Sequence, residues 1–202
     1  MGANNYSVKD GIVVIGGSSG GFNSIKSVLM KIPSDFSMPI MITLHVASYL
    51  YSYDYSIDKL DKKCRIALKI AKDGEYLRPG FAYFCPAGKN MEVVLINEKP
   101  AVKLSMNDHL YHGMPCIDDL FSSAAKIYKH LTIGVILTGS LRDGVAGLTI
   151  IKNARGITIA ESKETAEIFG MPKRAIEEGA VRYIVPNYDI NNYIVRFATV
   201  NV

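Results

Sequence analysis

Three residues of the types used in nucleophilic acyl transfer each stand just past an apolar segment of the chain. They are Ser18, His45 and Asp143. Acyl transfer uses a hydroxyl nucleophile, an imidazole base, and a carboxylate that fixes the imidazole tautomer. The carboxyl ends of parallel strands meet at one edge of an open α/β sheet, where ligands and chemistry collect. If the three segments are strands of one parallel sheet, their spacing predicts a Ser–His–Asp triad.

The turn that carries Ser18 contains four glycines within residues 16–21. Glycines permit positive φ and close backbone packing, which a sharp turn from a strand into a helix requires. A serine on such a turn projects above the sheet edge, where the N-terminus of the following helix stabilises negative charge. The pattern Gly16-x-Ser18-x-Gly20 fits a structural turn or a general anion site equally well, so the turn alone does not establish a nucleophile.

Nucleotide and metal sites are disfavoured. A dinucleotide-binding loop has a glycine where Ser18 stands and an acidic residue where His45 stands. A Walker loop requires Gly-Lys-Ser/Thr after the turn, and Phe22 occupies that place. The motif Asp108-His109-x-x-His112 has a metal-compatible spacing but no fixed third ligand. We therefore expect no cofactor and no bound metal.

Each candidate residue also has a structural alternative. A lone histidine such as His45 is often a structural residue, and Asp143 is a favoured N-cap for the helical pattern over 145–152. Three further acids, Glu161, Glu164 and Glu167, are predicted to lie on the surface. A paired-carboxylate hydrolase would need two acids in one cleft, and nothing in the sequence brings two of them together. The triad hypothesis therefore depends on the combination of the three segments.

The rest of the chain alternates short apolar runs with longer amphipathic runs, as the βα units of a mainly parallel sheet do. Apolar residues on both faces of the strands indicate helices on both sides of the sheet. We predict an α/β fold: a three-layer, doubly wound, mainly parallel sheet with a short antiparallel meander at one edge, in a single domain over 1–202. The predicted strands are 11–15, 40–44, 134–138, 156–160 and 180–185, the meander strands are 81–84, 91–95 and 102–104, and the main helices are 21–31, 118–129 and 145–152.

Composition narrows the functional class. The hydrophobic fraction of 49% is ordinary for a globular protein, and a net charge of +4 is too small to indicate a nucleic-acid partner. The 3 cysteines are widely spaced, which argues against a disulfide framework and a thiolate zinc site. No apolar run approaches the roughly 18 residues that span a bilayer, and the first ten residues lack signal-peptide features. We expect a cytoplasmic protein that is not inserted in a membrane.

Taken together, these segments resemble the catalytic domain of the chemotaxis protein-glutamate methylesterases (CheB type). The resemblance extends from about residue 12 to residue 190, and its ordered glycines and site residues make the joint match highly specific. The matching segments are 14–21 with the serine, 44–46 with the histidine, 134–139, Asp143-Gly144, Gly147-Leu148, 158–160, 169–172, 179–181, and the loop 112–118.

The resemblance implies a role for each candidate residue. The family nucleophile falls on Ser18, its base on His45 and its orienting acid on Asp143, while backbone amides around Ser19 and Ser140 are expected to hold the oxyanion. The implied reaction is hydrolysis of γ-glutamyl methyl esters, with glutamine deamidation as a related activity. The order Ser, His, Asp along the chain differs from the Ser, Asp, His order of α/β-hydrolases.

The resemblance also implies partners. The substrate would be the cytoplasmic part of methylated chemoreceptors or another carboxyl-methylated protein, and the loop that contains His112 would lie beside the site. We expect no receiver domain in this chain, so any regulatory receiver is expected to be a separate protein.

The chain departs from the family pattern beside two of the three candidate residues. Leu44 replaces the usual glutamine before the histidine, 47–50 replaces a proline-rich continuation, and Ser140-Leu141 replaces Met-Gly. The stretch with Tyr49, Tyr51, Tyr53 and Tyr55 fits either packing on the sheet or substrate contact. The alternative function is therefore a catalytically weak or inactive regulatory or binding module on the same fold, and a third hypothesis is nucleotide binding at the glycine-rich turn.

Overall fold

The computed structural model describes residues 8–45, 52–106 and 115–200. Nine strands and six α-helices form within these ranges. The strands are β1 (Ile12–Gly17), β2 (Ile40–Leu44), β3 (Ala67–Ile70), β4 (Phe81–Phe84), β5 (Lys89–Ile96), β6 (Lys99–Met106), β7 (Thr132–Ile136), β8 (Ile157–Glu161) and β9 (Tyr183–Val185). The helices are α1 (Gly21–Leu29), α2 (Ser52–Asp61), α3 (Ile117–Tyr128), α4 (Val145–Asn153), α5 (Gly170–Glu177) and α6 (Asn187–Val200).

Seven of the strands form one sheet in the order β3-β4-β2-β1-β7-β8-β9, and every pairing in it is parallel. The chain begins in the middle of the sheet, extends it to one side from β1 through β2, and later returns to extend the other side from β7. β1 therefore lies where the strand order reverses. The carboxyl ends at such a switch point form the crevice in which open α/β sheets bind ligands.

Helices cover both faces of this sheet, which confirms the predicted three-layer α/β architecture. One buried apolar cluster joins the sheet to α1, α2 and α6, and a second joins the opposite face to α3, α4 and α5. Strands β1, β2, β7 and β8 are buried along their whole length. Burial on both faces explains why these strands are apolar throughout and do not alternate.

The predicted meander forms only in part. β5 and β6 make an antiparallel hairpin that packs against α3, but β4 lies inside the parallel sheet between β2 and β3. The prediction for 81–84 was wrong because it inferred pairing from closeness in sequence. The residues of β4 are apolar throughout and almost fully buried, as in an interior parallel strand, whereas β5 has half-buried positions and one exposed position among its buried ones.

Part of the tyrosine-rich stretch belongs to α2, which the sequence analysis did not predict. Tyr53 is buried in the core and meets Phe84 edge to face, with 6.4 Å between the ring centroids. Packing on the sheet is thus the role of Tyr53, while Tyr49 and Tyr51 lie outside the described residues. Among the helices that the structure describes, none is long and apolar enough to cross a membrane.

Candidate active site

Strand register brings Ser18 and His45 to the same edge of the sheet. Gly17 pairs with Leu44 in the last step of the β1–β2 ladder, so each candidate residue comes one position after its strand. The His45 amide donates to the Gly17 carbonyl over 3.1 Å, which extends the ladder to the histidine. On the other side of β1, the Ser18 amide donates to the carbonyl of Thr138 over 2.9 Å. Three neighbouring strands therefore hold the backbone of this edge.

His45 and Asp143 are in direct contact although 98 residues separate them in sequence. Nε2 of the imidazole lies 2.8 Å from Oδ2 of the carboxylate, and both side chains are 0% exposed. With the Nε2 proton donated to the carboxylate, Nδ1 is the basic nitrogen of the neutral ring. A buried carboxylate that fixes the tautomer of an imidazole is the arrangement that general-base catalysis by histidine uses.

The Asp143 carboxylate is saturated with donors. Oδ2 also accepts from the amide of Ile117 over 2.6 Å, and Oδ1 accepts from the amide of Asp118 over 2.9 Å and from the thiol of Cys116 over 3.6 Å. Burial raises the pKa of Asp143, but the hydrogen bonds from His45 and from the two amides outweigh it and leave the pKa below its usual value. This group is an anion at neutral pH.

Asp143 caps a helix, but not the helix that follows it. The N-cap of α4 is Gly144, and it makes no side-chain capping bond. The Asp143 carboxylate instead accepts the first amides of α3, where the helix dipole favours a negative charge. Asp143 is thus not the N-cap of the helix over 145–152, as the structural alternative proposed. It caps α3 instead, and its Oδ2 remains in contact with His45.

Thr138 fixes the glycine-rich turn to its neighbours. Its hydroxyl donates to the carbonyl of Ser19 over 3.1 Å and accepts from the amide of Ile168 over 2.8 Å. Gly20 ends the turn with φ of +77°, which only glycine adopts readily, and α1 begins at the next residue. Ser18 is half-buried at the base of this turn and Ser19 is exposed.

The segment over 139–140 is held against the start of α5. The amide of Met171 donates to the carbonyl of Gly139 over 2.7 Å, and Arg174 donates to the carbonyl of Ser140 over 2.8 Å. Ser140 is exposed, and the neighbouring Gly139 packs on Ser18. The structure therefore brings the Ser19 and Ser140 segments to the same edge as Ser18.

Gly139→Ala is expected to disable the site. An added Cβ would lie 2.7 Å from the Cβ of Ser18 and would overlap the sulfur of Met171. Methionine can move, but the serine backbone is fixed by its ladder, so the turn must shift. We expect labelling of Ser18 by a fluorophosphonate to slow by at least about tenfold, with stability lowered by about 1–3 kcal/mol. Labelling at the wild-type rate would show that this contact does not set the serine position.

One acid lies in the interior, contrary to its predicted surface position. Glu161 ends β8 with no exposed surface, and its Oε2 accepts from the hydroxyl of Ser24 over 2.9 Å and from the amide of Thr138 over 3.0 Å. It thus ties α1 to the segment that follows β7, whereas Glu164 and Glu167 are exposed as predicted. The position of Glu161 was predictable from the sequence, because a carboxylate that ends a buried strand lies at the edge of the sheet where the site forms.

His112 and the motif Asp108-His109-x-x-His112 lie outside the described residues. Within residues 8–45, 52–106 and 115–200, no group of three or more His, Cys, Asp or Glu side chains is placed to hold a metal ion.

Comparisons with known proteins point to one family. A family model described as CheB methylesterase matches residues 13–194. A Thermotoga maritima protein named "Protein-glutamate methylesterase/protein-glutamine glutaminase" is 38% identical over 180 residues, which cover 89% of this chain and 52% of that protein. A Clostridium acetobutylicum protein of the same name is 36% identical over 185 residues, which cover 91% of this chain and 52% of that protein.

The fold agrees with a solved structure. The crystal structure of the Thermotoga maritima CheB methylesterase catalytic domain matches with a TM-score of 0.87 and 36% sequence identity, and the match covers 92% of this chain and 97% of that chain. The chain spans about half the length of the two curated relatives described above.

Proposed function

The chain belongs to the CheB methylesterase family, and on that premise we propose that it hydrolyses methyl esters of glutamyl side chains. Ser18 is the nucleophile, His45 the general base and Asp143 the orienting acid. The observation that carries the proposal is the buried contact of 2.8 Å between His45 and Asp143, at the edge where the Ser18 turn begins. The names of the curated relatives support the same reaction, with glutamine deamidation as a second activity.

In the first half of the reaction, Oγ of Ser18 attacks the ester carbonyl while Nδ1 of His45 takes the hydroxyl proton. Asp143 stabilises the imidazolium that forms, because its carboxylate is already ionised and fixed by the amides at the start of α3. The tetrahedral oxyanion accepts hydrogen bonds from the amides of Ser19 and Ser140, each worth roughly 3 kcal/mol in the transition state. The imidazolium then gives its proton to the methoxide oxygen as its bond to carbon breaks, so that methanol leaves and the glutamyl ester of Ser18 remains.

In the second half, His45 removes a proton from water, and the hydroxide formed attacks the glutamyl ester of Ser18. The tetrahedral intermediate collapses to the glutamic acid side chain as the serine oxygen takes back the proton from the imidazolium, and the acid then releases its own proton to solvent to give the carboxylate. Glutamine would react through the same acyl-enzyme, with ammonia as the leaving group in place of methanol.

The proposed substrate is the cytoplasmic part of methylated chemoreceptors or another carboxyl-methylated protein, which places the reaction in the cytoplasm. His112 is proposed to lie on the substrate side of the site. The departure at Ser140-Leu141 is the feature through which the protein substrate would differ from that of other family members, because Leu44 and Tyr53 are buried in the core.

The test uses two probes on the intact protein. A receptor cytoplasmic fragment carrying radiolabelled methyl esters should release methanol, and a fluorophosphonate should modify Ser18, as located by peptide mass. Heat-unfolded protein is the control, because an isolated serine does not react. If the protein neither released methanol nor was labelled, the inactive regulatory or binding module would be favoured. Thermal stabilisation by a dinucleotide would favour the third hypothesis.

A further inference from the structure

A second acid, Asp118, is joined to Asp143 by a reciprocal pair of helix caps. The Asp143 carboxylate accepts from the amides of Ile117 and Asp118 at the start of α3, as described above. The Asp118 carboxylate accepts from the amide of Gly147, in the first turn of α4, over 2.6 Å. Each acid therefore caps the helix to which the other is attached, and neither can shift without displacing its partner.

The packing between α3 and α4 leaves this arrangement little room to adjust. A Cβ at Gly147 would overlap the Cβ of Phe121 and would lie 3.2 Å from both the carbonyl oxygen and Oδ1 of Asp118. The two helices thus meet closely beside the two caps. The position of the Asp143 oxygen that contacts His45 consequently depends on how α3 sits on α4.

Asp118 also brings a second negative charge to the His45–Asp143 pair. Burial raises the pKa of Asp118 to about 6, with a further contribution from the nearby Asp143 charge and an opposing one from the Gly147 amide. Among the described residues, the other ionisable groups at this junction are the Cys116 thiol, which stays neutral because burial raises its pKa far above neutrality, and Asp119. Above neutral pH the pair therefore faces a second carboxylate.

We propose that Asp118 is a positioning residue of the hydrolase: it holds Asp143 in place through the reciprocal caps, and its charge favours the protonated form of His45. This proposal rests on the proposed function, since a charge that favours the imidazolium assists catalysis when His45 acts as the base. Loss of the charge would weaken proton acceptance by His45 and leave the fold intact.

The test is the variant Asp118→Asn. Asparagine retains an oxygen that accepts from Gly147 and removes the charge, so the cap persists. We expect kcat for ester hydrolysis to fall about three- to tenfold with KM unchanged, and the acidic limb of the rate profile to move to lower pH by about half a unit or more. The NMR titration midpoint of the His45 ring, assigned with the variant His45→Asn, should move in the same direction.

Stability separates this role from a purely structural one. An acid whose folded-state pKa is raised makes the fold less stable as pH rises from about 4 to about 6, since the unfolded chain loses the proton first. Asp118→Asn should therefore melt at or above the wild-type temperature at pH 8. The matched control is Asp119→Asn, which removes the same charge from the next residue, whose carboxylate binds Asn90.

The outcomes are distinct. If the pH–rate profile and the NMR titration midpoint of His45 were both unchanged in Asp118→Asn, the proposal would be overturned. It would also be overturned if Asp119→Asn shifted them by the same amount. A lower melting temperature with no change of profile would make Asp118 a structural cap. The proposed function fails separately, if the wild-type protein hydrolyses neither the receptor methyl ester nor a simple p-nitrophenyl ester, because the His45 midpoint is read without substrate.

Discussion

Ser18→Ala is expected to lower methanol release from a methylated receptor fragment by about four to six orders of magnitude. The variant removes the only atom that is proposed to bond to the substrate carbonyl. His45, Asp143 and the backbone amides would remain in place, so the residual rate would reflect substrate binding and oxyanion stabilisation alone.

The fold should survive this change. The backbone of Ser18 donates to the carbonyl of Thr138 and accepts from the amide of Gly21, and alanine keeps both bonds. Stability should stay within about 0.5 kcal/mol of the wild type, as measured by denaturant unfolding. A loss of activity with a native unfolding curve therefore reports on chemistry and not on structure.

The neighbouring serine provides the matched control. Ser19 is exposed, and only its backbone amide has a proposed role, so Ser19→Ala should retain most of the activity. Comparable loss in both variants would mean that the turn, and not the Ser18 hydroxyl, limits the reaction. Full activity in Ser18→Ala would remove the triad from consideration.

The central sheet was predictable because a strand that is buried on both faces appears in the sequence as a continuous run of apolar residues. β2 was predicted with its observed bounds, and the predicted ends of β1 and β7 fall within two residues of the observed ones. Runs of four or more apolar residues bounded by glycine or proline have few structural alternatives in a chain of this composition. Because each candidate residue follows such a run, the edge of the sheet on which it lies was also predictable.

Other elements depend on contacts that local sequence does not encode. α2 carries tyrosines and charges with a weak apolar periodicity, and its buried face is defined by rings such as Tyr53 that pack on the sheet. β4 was assigned to a meander because polar turns separate it from β5, yet it pairs in parallel with strands that precede it. Strand pairing over such distances is determined by the whole topology.

The same limit applies inside the site. Residue types and strand ends predicted that Ser18, His45 and Asp143 would meet at one edge. The chain segment Cys116-Ile117-Asp118 was recognised as part of a motif, but no local pattern shows that its amides close around a carboxylate 25 or more residues away. Nor does a helical pattern reveal that an acid caps a different helix from the one it precedes.

Asp143→Asn should reduce turnover by about 10⁴-fold and, unlike Ser18→Ala, should also weaken the fold. The carboxylate accepts four hydrogen bonds with its two oxygens, from His45, Ile117, Asp118 and Cys116. An amide has one oxygen, so its NH₂ group must face either the imidazole together with the Ile117 amide or the Asp118 amide. Both orientations bury an N–H donor against a backbone amide, and the first also favours the wrong imidazole tautomer.

The stability loss should depend on pH in a defined direction. Because the folded-state pKa of Asp143 is lowered, its ionisation stabilises the fold above the unfolded-state value of about 3.9, and this stabilisation disappears as pH falls through the lower folded-state value. We expect the variant to be about 1–3 kcal/mol less stable at pH 7, with the difference shrinking below pH 4, as measured by urea unfolding across that range.

Cys116→Ala is the matched control, because it removes the longest of the four hydrogen bonds and leaves the charge, the imidazole contact and both amides in place. It should retain activity within about tenfold of the wild type. If asparagine at position 143 left turnover near the wild-type rate, Asp143 would serve α3 as a cap and the base would act without it. A pH-independent stability loss would instead mean that the pKa of Asp143 is the same in the folded and unfolded states, which would contradict the lowered folded-state pKa on which the proposed mechanism depends.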